Sequence, residues 1–379
     1  MARTCESAAI MRQSLVLITG GAGFIGGHLC QSLQSLGYCV RLLDSRPLGQ
    51  SQWRSVDVMQ GDVRDPKMLN RAMRGASFVI HAATAPVASN SGDVFATDVF
   101  GTWSVLQAAQ RAGVARLVYL SSAAVYGDQL HRLMHEDDSL VGYGPYAEAR
   151  IEAEYLCHSA RLAGLCVSTL RLTSVVGHGA RGVFASLYRA AATGRNFPML
   201  TRGDDPCQVL DIEDLCQAVH RCLLVPQGLV NDTFNLGGAA HGTWRESFQA
   251  VLDRAGYGKR VIGIPAAPAL TLLRWLDQLG WPVGESPLGT SPLPAGDVTA
   301  AAAPVPRLQS LRATAARDSY CALRRIDSKL GFQPRYSGRD ALIRHFDRYL
   351  APRYPTEHHR TAAASGSALS ALVRVRTRA

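Results

Sequence analysis

Short apolar runs alternate with amphipathic segments along the first half of the chain. The runs are LVLIT, CVRLLD, SFVIHAAT, ARLVYLSS and CVSTLRLTSVVG, and the segments between them have helical periodicity, the longest at about 94–112 and 146–163. Strands this apolar, separated by long helices, are typical of a parallel sheet that is covered on both faces. The pattern therefore predicts an α/β fold with a doubly wound parallel sheet.

The alternation ends about halfway along the chain, which predicts a second part of different architecture. Residues 11–180 are expected to form the sheet domain, joined by later segments at about 205–238, and residues 181–350 to form mainly a smaller mixed α/β lobe. Residues 285–316, rich in proline and alanine, are predicted to be a long loop within that lobe. The segment 351–379 holds five arginines and one glutamate, and we expect this basic tail to be disordered.

Composition narrows the class of protein. The 379 residues carry a net charge of +10, part of it in the basic tail. No aromatic platform or basic amphipathic helix accompanies that charge, so neither a nucleic acid nor a membrane is expected as a partner. No apolar run reaches the roughly 18 residues that a membrane-spanning helix needs. Nine cysteines are scattered without a CxxC pair, which favours buried, reduced thiols in a cytoplasmic protein over disulfides or a metal site.

A glycine motif follows the first predicted strand and begins the next helix. It reads GGAGFIG over residues 20–26. Gly20 permits a tight turn, Gly23 lets backbone amides approach a pyrophosphate, and Gly26 lets the helix pack closely on the strand. Phe24 and Ile25 lie in the first helical turn, where free N–H groups and the helix dipole favour phosphate. The motif in this context predicts a Rossmann-type dinucleotide-binding domain.

Asp44 closes the next strand, where its carboxylate is placed to accept hydrogen bonds from the ribose hydroxyls of the adenosine. A carboxylate there would repel a 2′-phosphate, so NAD is favoured over NADP, although Arg46 leaves NADP open. Asp62, after the third strand, is expected to accept from the adenine amino group. Further cofactor contacts are expected near the ends of other strands, at Val63, Ala82, Ala83 and Thr173.

Three side chains with acid/base or hydrogen-bonding chemistry follow later strands. Ser122 ends the strand RLVYLSS, and Tyr146 and Arg150 begin the next long helix. Four residues apart, Tyr146 and Arg150 share one helical face. A cation beside a phenol favours the phenolate, and a serine hydroxyl can orient a substrate oxygen. These residues are the predicted catalytic set, at the strand ends where open parallel sheets bind ligands.

Several motifs together resemble one known family. The segments TGGAGFIG, GDVRD, IHAAT, AGVARLVYLSSAAVYGD, PYAEARIEAEYL and DTFNLGG are similar to those of the extended short-chain dehydrogenase/reductase superfamily, in its NAD-dependent epimerase/dehydratase branch, over about residues 13–350. The resemblance implies that Ser122, Tyr146 and Arg150 surround the nicotinamide, with Tyr146 exchanging a proton with a substrate hydroxyl as hydride moves to or from NAD. It also implies a homodimer formed through the two long helices.

The chain departs from the family pattern at its catalytic positions. Arg150 stands where the family has lysine, which bonds the nicotinamide ribose and activates the tyrosine, and a guanidinium has a different reach. Ala123 and Ala124 stand where sugar-nucleotide dehydratases have an Asp-Glu pair, which disfavours dehydration. Asp98 occupies a position that is often asparagine.

Two further departures concern the substrate. Epimerases of the family commonly grip the substrate diphosphate with an asparagine and an arginine, and these positions are Ser174 and Cys207 here. The arginines at 181, 189, 195 and 202 are candidates to replace the lost contacts.

Other polar residues are interpreted as outside the chemistry. His81 ends a strand beside the cofactor cleft and is expected to line it rather than to bind a metal. The loop that holds His135, Glu136, Asp137 and Asp138 is interpreted as solvated. No metal site is predicted.

Three functions remain open. The preferred one is an NAD-dependent epimerase of a sugar or sugar nucleotide, which oxidises a secondary alcohol to a ketone and reduces it again. An alternative is a one-way NAD(P)-dependent oxidoreductase on a less polar ketone or alcohol, resembling hydroxysteroid dehydrogenases and dihydroflavonol reductases, with the apolar stripe at 270–281 as a substrate wall. The third, suggested by Arg150, is a non-catalytic dinucleotide-binding sensor or scaffold.

Overall fold

The computed structural model describes residues 14–48, 53, 56–85, 89–127, 132–180, 182–200, 203–264 and 320–351. Three predicted features lie outside these residues: the apolar stripe at 270–281, the loop at 285–316 and the basic tail beyond residue 351. The candidate phosphate ligands Arg181 and Arg202 also lie outside them.

Seven parallel strands form the central sheet, in the order β3-β2-β1-β4-β5-β6-β11. The strand order reverses at β1, so the carboxyl ends of β1 and β4 flank the crevice in which such sheets bind ligands. The predicted doubly wound α/β fold is confirmed. The strands are β1 (Leu15–Thr19), β2 (Cys39–Asp44), β3 (Asp57–Gln60), β4 (Ala76–His81), β5 (Arg116–Ser122), β6 (Val167–Leu172), β7 (Val175–Val176), β8 (Phe197–Leu200), β9 (Pro206–Cys207), β10 (Leu210–Asp211), β11 (Thr233–Leu236), β12 (Gly242–Thr243) and β13 (Val261–Ile264).

Helices cover both faces of the sheet. The helices are α1 (Phe24–Ser35), α2 (Pro66–Ala72), α3 (Ser91–Phe95), α4 (Gly101–Arg111), α5 (Gly144–Leu162), α6 (Val183–Ala192), α7 (Ile212–Leu224), α8 (Gln227–Val230), α9 (Trp244–Ala255), α10 (Arg324–Leu330) and α11 (Gly338–Leu350). Within the part of the chain that is described, no helix combines the length and the apolar character needed to cross a membrane.

Alternation along the strands divides the core into two layers. Ile18 of β1 packs with α1 and α7, while its neighbour Leu17 packs with α2, α4 and α5 on the other face. Because successive side chains of a strand point to opposite faces, a nearly continuous apolar strand supplies both layers. The apolar side chains buried in these two layers hold the carboxyl ends of the strands, and the residues that follow them, in fixed positions.

The long helix predicted at 94–112 contains a π-helical turn, Ala96–Phe100, between α3 and α4. The carboxylate of Asp98 in this turn accepts from the backbone N–H of Ala85 at 2.8 Å and from the hydroxyl of Thr84 at 3.0 Å. The Thr102 hydroxyl donates to the Asp98 carbonyl oxygen at 2.6 Å. The wider turn therefore carries a fully buried carboxylate towards the end of β4.

A smaller mixed region follows the sheet domain. It contains a parallel pair, β8 with β13, and an antiparallel pair, β9 with β12. Its core is built around Phe184, Phe248 and Phe346, which belong to α6, α9 and α11. The region is tied to the sheet domain at Asp211, which caps α7 and accepts from Arg344 and His345 of α11. The predicted smaller α/β lobe is thus present in the described residues.

Cysteines are mostly part of the core. Seven of the eight described cysteines are buried, and Cys39 is exposed. Burial raises the pKa of the Cys30 and Cys222 thiols to about 12, so these groups remain protonated near neutral pH. The predicted burial is found for these seven thiols, and Cys39 is the exception among the described cysteines.

Candidate active site

The glycine turn is packed so closely that side chains are excluded. Gly20 has φ of +73°, and a Cβ there would lie 2.7 Å from the Ala82 oxygen and the Ala83 nitrogen at the end of β4. A Cβ on Gly26 would overlap the Gly20 carbonyl oxygen. Glycine is therefore required both where the turn meets β4 and where α1 leaves it.

The N-terminus of α1 is available to an anion. Gly23 is its N-cap, and among the described side chains none caps the helix or places an acidic group in its first turn. The backbone amides of Phe24 and Ile25 therefore keep the character of free helix-terminal donors. This arrangement suits a pyrophosphate.

Asp44 fastens the glycine turn to the end of β2. Its buried carboxylate accepts from the backbone N–H groups of Ala22 and Arg46, each at 2.9 Å. The Arg46 guanidinium also contacts it, with Nε 3.2 Å from Oδ1 and Nη2 3.3 Å from Oδ2. The carboxylate thus lies beside the glycine turn at the end of β2, and its contact with the adenosine ribose stays a prediction.

The residues after β3 are engaged in other contacts. Asp62 accepts from the backbone and side chain of Arg64, and these bonds hold the pKa of its carboxyl below its usual range. Val63 is buried, and its Cγ2 would lie 2.8 Å from a Cβ on Gly101. The Val63 side chain is thus a packing residue, which leaves its backbone for any cofactor contact.

Thr173 lies just beyond β6 with an unused hydroxyl. Its backbone N–H donates to the Leu236 oxygen at 3.0 Å, but its buried Oγ1 has no hydrogen-bond partner among the described residues. Buried polar groups normally have partners, so this hydroxyl is suited to a ligand. Together with the glycine turn and the free end of α1, it fits a bound dinucleotide.

Tyr146 and Ser122 lie at the carboxyl edge of the sheet. Tyr146 is in the first turn of α5, and the residue remains 44% exposed. Ser122 ends β5, and its Oγ accepts from the Ala124 N–H at 3.2 Å. A serine hydroxyl that already accepts one bond still has a proton to donate to a substrate oxygen.

Arg150 is held beneath Tyr146. Its Nη1 donates to the Tyr119 hydroxyl at 3.0 Å and to the Leu120 carbonyl at 3.1 Å, and its guanidinium carbon lies 5.1 Å from the centre of the Tyr146 ring. The buried Nε has no partner among the described residues. The cation therefore contacts the tyrosine through the ring face, and Nε is a donor available to a ligand.

Asp98 is a site residue whose contact with Arg150 the sequence does not reveal. Its Oδ2 lies 3.7 Å from Arg150 Nη2, and both side chains are almost entirely buried. Burial by itself lowers the pKa of Arg150, but Tyr119, Tyr146 and Asp98 outweigh it and raise that pKa. Arg150 is thus a permanent charge with a partly compensating neighbour.

His81 belongs to a buried chain of hydroxyl groups. Its Nδ1 lies 2.7 Å from Thr19 Oγ1 and its Nε2 lies 3.0 Å from Thr102 Oγ1. Burial, and secondly the charge of Arg150, lowers the pKa of His81 to about 3. The imidazole is therefore neutral, and both of its nitrogens are occupied.

A buried ionic network supports the strand ends. Glu154 of α5 accepts from the Ser121 hydroxyl at 2.5 Å and from Arg171 of β6 at 2.7 Å. Arg171 also donates to the Glu136 carbonyl at 2.9 Å, and Glu136 is only 8% exposed. The interpretation of the 135–138 loop as solvated is wrong for Glu136. Its carbonyl accepts from Arg171 and its carboxylate accepts from the N–H of Asn235, and these bonds keep the residue buried.

Comparison with known proteins identifies the chain. A sequence model described as the NAD dependent epimerase/dehydratase family matches residues 16–237, more than half of the chain. The chain belongs to this family. It is accordingly an NAD-dependent enzyme of the extended short-chain dehydrogenase/reductase type, and the resemblance found in its motifs is confirmed.

Individual epimerase/dehydratase relatives differ in reaction. A UDP-glucose 4-epimerase of Azospirillum brasilense is 28% identical, covering 73% of this chain and 89% of that protein. A 3 beta-hydroxysteroid dehydrogenase/Delta 5-->4-isomerase of Mycobacterium tuberculosis is 25% identical, covering 89% of this chain and 90% of that protein. The fold is shared with a UDP-glucuronic acid 4-epimerase from Bacillus cereus, in complex with UDP-glucuronic acid and NAD (TM-score 0.68, 17% identity, 89% of this chain and 100% of that one).

Proposed function

We propose that the chain interconverts a secondary alcohol and a ketone, with Tyr146 as the acid/base. The observation that carries the proposal is the half-exposed Tyr146 side chain stacked on the buried cation of Arg150. Tyr146 accepts the hydroxyl proton of the substrate, Ser122 orients the substrate oxygen, and Arg150 stabilises the phenolate. NAD, when bound, supplies the hydride acceptor.

The proposed net reaction is epimerisation of a sugar or sugar nucleotide. Ala123 and Ala124 follow Ser122 and offer no group for eliminating water. Oxidation takes one proton and one hydride from the substrate, and re-reduction on the opposite face returns both, so no cofactor is consumed. The UDP-sugar epimerases among the relatives support this choice.

Incubation with UDP-glucose, UDP-galactose and UDP-glucuronic acid tests this proposal. Epimers are separated by chromatography while nicotinamide absorbance is followed in the same sample. We expect interconversion of at least one pair without net NADH. Stoichiometric accumulation of NADH, or no change in any sugar nucleotide tested, would contradict epimerisation of these substrates.

A second candidate is one-way oxidoreduction of a less polar substrate. Cys207, at the position of the family's diphosphate-binding arginine, is buried with its Sγ 3.4 Å from the Ser247 hydroxyl, so it offers no charge to a phosphate. The similarity to a hydroxysteroid dehydrogenase also supports oxidoreduction of a less polar substrate. This candidate is favoured if added NADH is consumed with a panel of hydrophobic ketones but not with the keto forms of the sugar nucleotides.

We also propose that the enzyme is a homodimer. Two neighbouring helical segments expose large apolar side chains, Phe100 and Trp103 on the first and Tyr155 and Leu162 on α5. These positions repeat at helical spacing on each segment and the two segments contact each other, so we take them together as one surface, here called the α4–α5 face. A second copy meeting this face would bury it in a four-helix bundle, as the family resemblance implies.

A further inference from the structure

An open pocket of about 320 Å³ lies between α2 and α4, away from the active site. Gly75, one of its lining residues, directly precedes β4, and Arg111 ends α4. The pocket therefore lies at the amino ends of the strands, whereas Ser122 and the glycine turn lie at their carboxyl ends. Its volume reaches the lower limit of small-molecule sites, about 300 Å³. No group assigned to the cofactor or to the proposed substrate is among its lining residues.

The pocket has an apolar floor and a polar rim. Met73 and Ala108 are buried and form the floor, while Asn70, Arg74 and Arg111 are exposed and form the rim. Two guanidinium charges thus face one small space, and within the described residues no aspartate or glutamate lines it. Like charges around a concave surface raise the local potential and attract anions.

The guanidinium groups of Arg74 and Arg111, here called the rim arginines, are not engaged elsewhere. Neither has an ion pair or a side-chain hydrogen bond with another described residue, whereas nearby Arg41 is bound to Asp57 at 2.6 Å. The amide of Asn70 is likewise without a hydrogen bond in the described part of the chain. The donors of these three rim side chains are therefore open to a ligand from solvent.

Cations near the ends of helices often serve the last carbonyl groups of the helix, but other donors do so here. Arg41 Nη1 donates to the Ala72 carbonyl at 2.8 Å and to the Arg74 carbonyl at 2.7 Å. At the end of α4, the N–H of Val114 donates to the Ala109 carbonyl at 3.0 Å. These carbonyl groups are satisfied without the rim arginines, so capping does not explain why two cations share one pocket.

We propose that this pocket is a second ligand site, which binds the phosphate group of a small phosphomonoester. The rim arginines offer planar forks of N–H donors that match phosphate oxygens, and their two positive charges balance a dianion. Asn70 supplies a neutral donor from its amide. The carbon part of the ester lies against Met73 and Ala108, where it covers apolar surface. The site depends on neither the cofactor nor the reaction proposed for Tyr146.

Calorimetric titrations of the full chain test this proposal. The protein is first saturated with NAD, so that the N-terminus of α1 is not available to the phosphate probe. Phenyl phosphate and inorganic phosphate are then titrated separately. We expect one phenyl phosphate per chain with a Kd of about 1 mM or below. Inorganic phosphate should bind more weakly, because it lacks the apolar part.

Arg74→Gln/Arg111→Gln removes both rim charges and should weaken the binding of phenyl phosphate by about tenfold or more. Lys67→Gln/Arg71→Gln is the matched control, because it removes two charges from exposed positions of α2 that do not line the pocket. This control should keep the Kd of phenyl phosphate within about twofold of the natural value.

Asn70→Asp is a second variant, which places a carboxylate in the rim and should also weaken the binding of phenyl phosphate. The proposal is overturned if phenyl phosphate does not reach saturation below about 10 mM. It is equally overturned if inorganic phosphate binds at least as tightly as phenyl phosphate, or if the control pair loses as much affinity as the Arg74/Arg111 pair.

Discussion

Tyr146 and Arg150 lie on one helical face and have different proposed roles. Tyr146 remains partly exposed, while Arg150 lies beneath it and is held by Tyr119 and Leu120 of β5. A mobile lysine at this place can turn towards the cofactor, but a guanidinium with two fixed bonds keeps its charge in one position. In the proposed mechanism the acid/base role therefore rests on Tyr146 alone.

Tyr146→Phe should lower turnover by roughly 10²- to 10⁴-fold, because it removes the proton acceptor and leaves the ring on Arg150. NADH binding, measured by fluorescence, should remain. Tyr143→Phe is the control, since Tyr143 is a highly exposed tyrosine just before α5, and it should not change turnover. Equal activity of Tyr146→Phe and the natural enzyme would remove Tyr146 from the mechanism.

Asp98 and Arg150 should be energetically coupled. Asp98→Asn and Arg150→Gln each leave one buried charge without its partner, whereas the double variant removes both charges. We expect the double variant to lose less unfolding free energy than the sum of the single variants, by about 0.5–3 kcal/mol in urea titrations.

Arg161→Gln provides the comparison for this cycle. Arg161 is on the same helix, but it donates to Val167, Thr169 and Asp232 rather than to Asp98. Its effect should add to that of Asp98→Asn. If the losses of unfolding free energy in Asp98→Asn and Arg150→Gln also add, the two side chains are not energetically coupled across their 3.7 Å separation.

Single residues differ in how far sequence predicts them. The glycine turn, Asp44 and Tyr146 lie in local patterns whose backbone geometry is set by nearby residues. Asp98 and Glu136 are acidic residues without such a pattern, and their burial depends on Arg150 and on Asn235, which are distant in sequence. Long-range polar partners are not encoded in local spacing, so the sequence could not place these two side chains.

At the scale of elements, alternation of apolar runs predicted the sheet strands of the first half of the chain, β1 to β6, whereas β11 lies beyond the point where the alternation ends. It did not predict the π-helical turn Ala96–Phe100, because one wider turn hardly disturbs the apolar period of a long helix. That turn is fixed by Thr84 and Ala85, which bind the Asp98 carboxylate from a loop after β4. The regular strands follow from the pattern of apolar residues, whereas this irregular turn follows from the contacts of Asp98 with Thr84 and Ala85.

The α4–α5 face should control oligomeric state. Replacing Trp103 and Leu162 together by Glu places two charges on the surface proposed to be buried between subunits, so we expect monomers by light scattering after size exclusion. Leu229→Glu changes an exposed apolar residue of α8 instead and should leave the dimer intact. A dimer that persists in the Trp103/Leu162 variant would place the interface elsewhere.

At the scale of the whole molecule, His81 makes stability depend on pH. Its pKa falls from 6.5 to about 3 on folding, chiefly through burial. Above pH 6.5 both states are neutral, and between 6.5 and about 3 only the unfolded chain takes up the proton. The unfolding free energy should therefore fall with pH in this window, by up to about 1.4 kcal/mol per unit.

Urea titrations at neutral pH and at two mildly acidic values measure this dependence. His81→Gln should flatten the curve, because its amide still bonds the neighbouring hydroxyls but does not titrate. His241→Gln, at an exposed position just before β12, should keep the natural slope. Identical slopes in all three proteins would mean that His81 is not held neutral by the fold.

The loop that contains Met134 and Glu136 is also bound by residues much later in the chain. Met134, two residues before Glu136, donates its backbone N–H to Tyr320 at 2.9 Å and accepts from Ala322 at 2.8 Å. Cys321 donates its N–H to the side chain of Gln208 at 2.8 Å. During synthesis on the ribosome, the sheet can thus assemble once β11 has emerged, and Arg171 and Asn235 can then already bind Glu136. The bonds of Met134 with Tyr320 and Ala322 form only when residue 322 follows. A nascent chain would therefore acquire its cofactor cleft before the last support of this loop is in place.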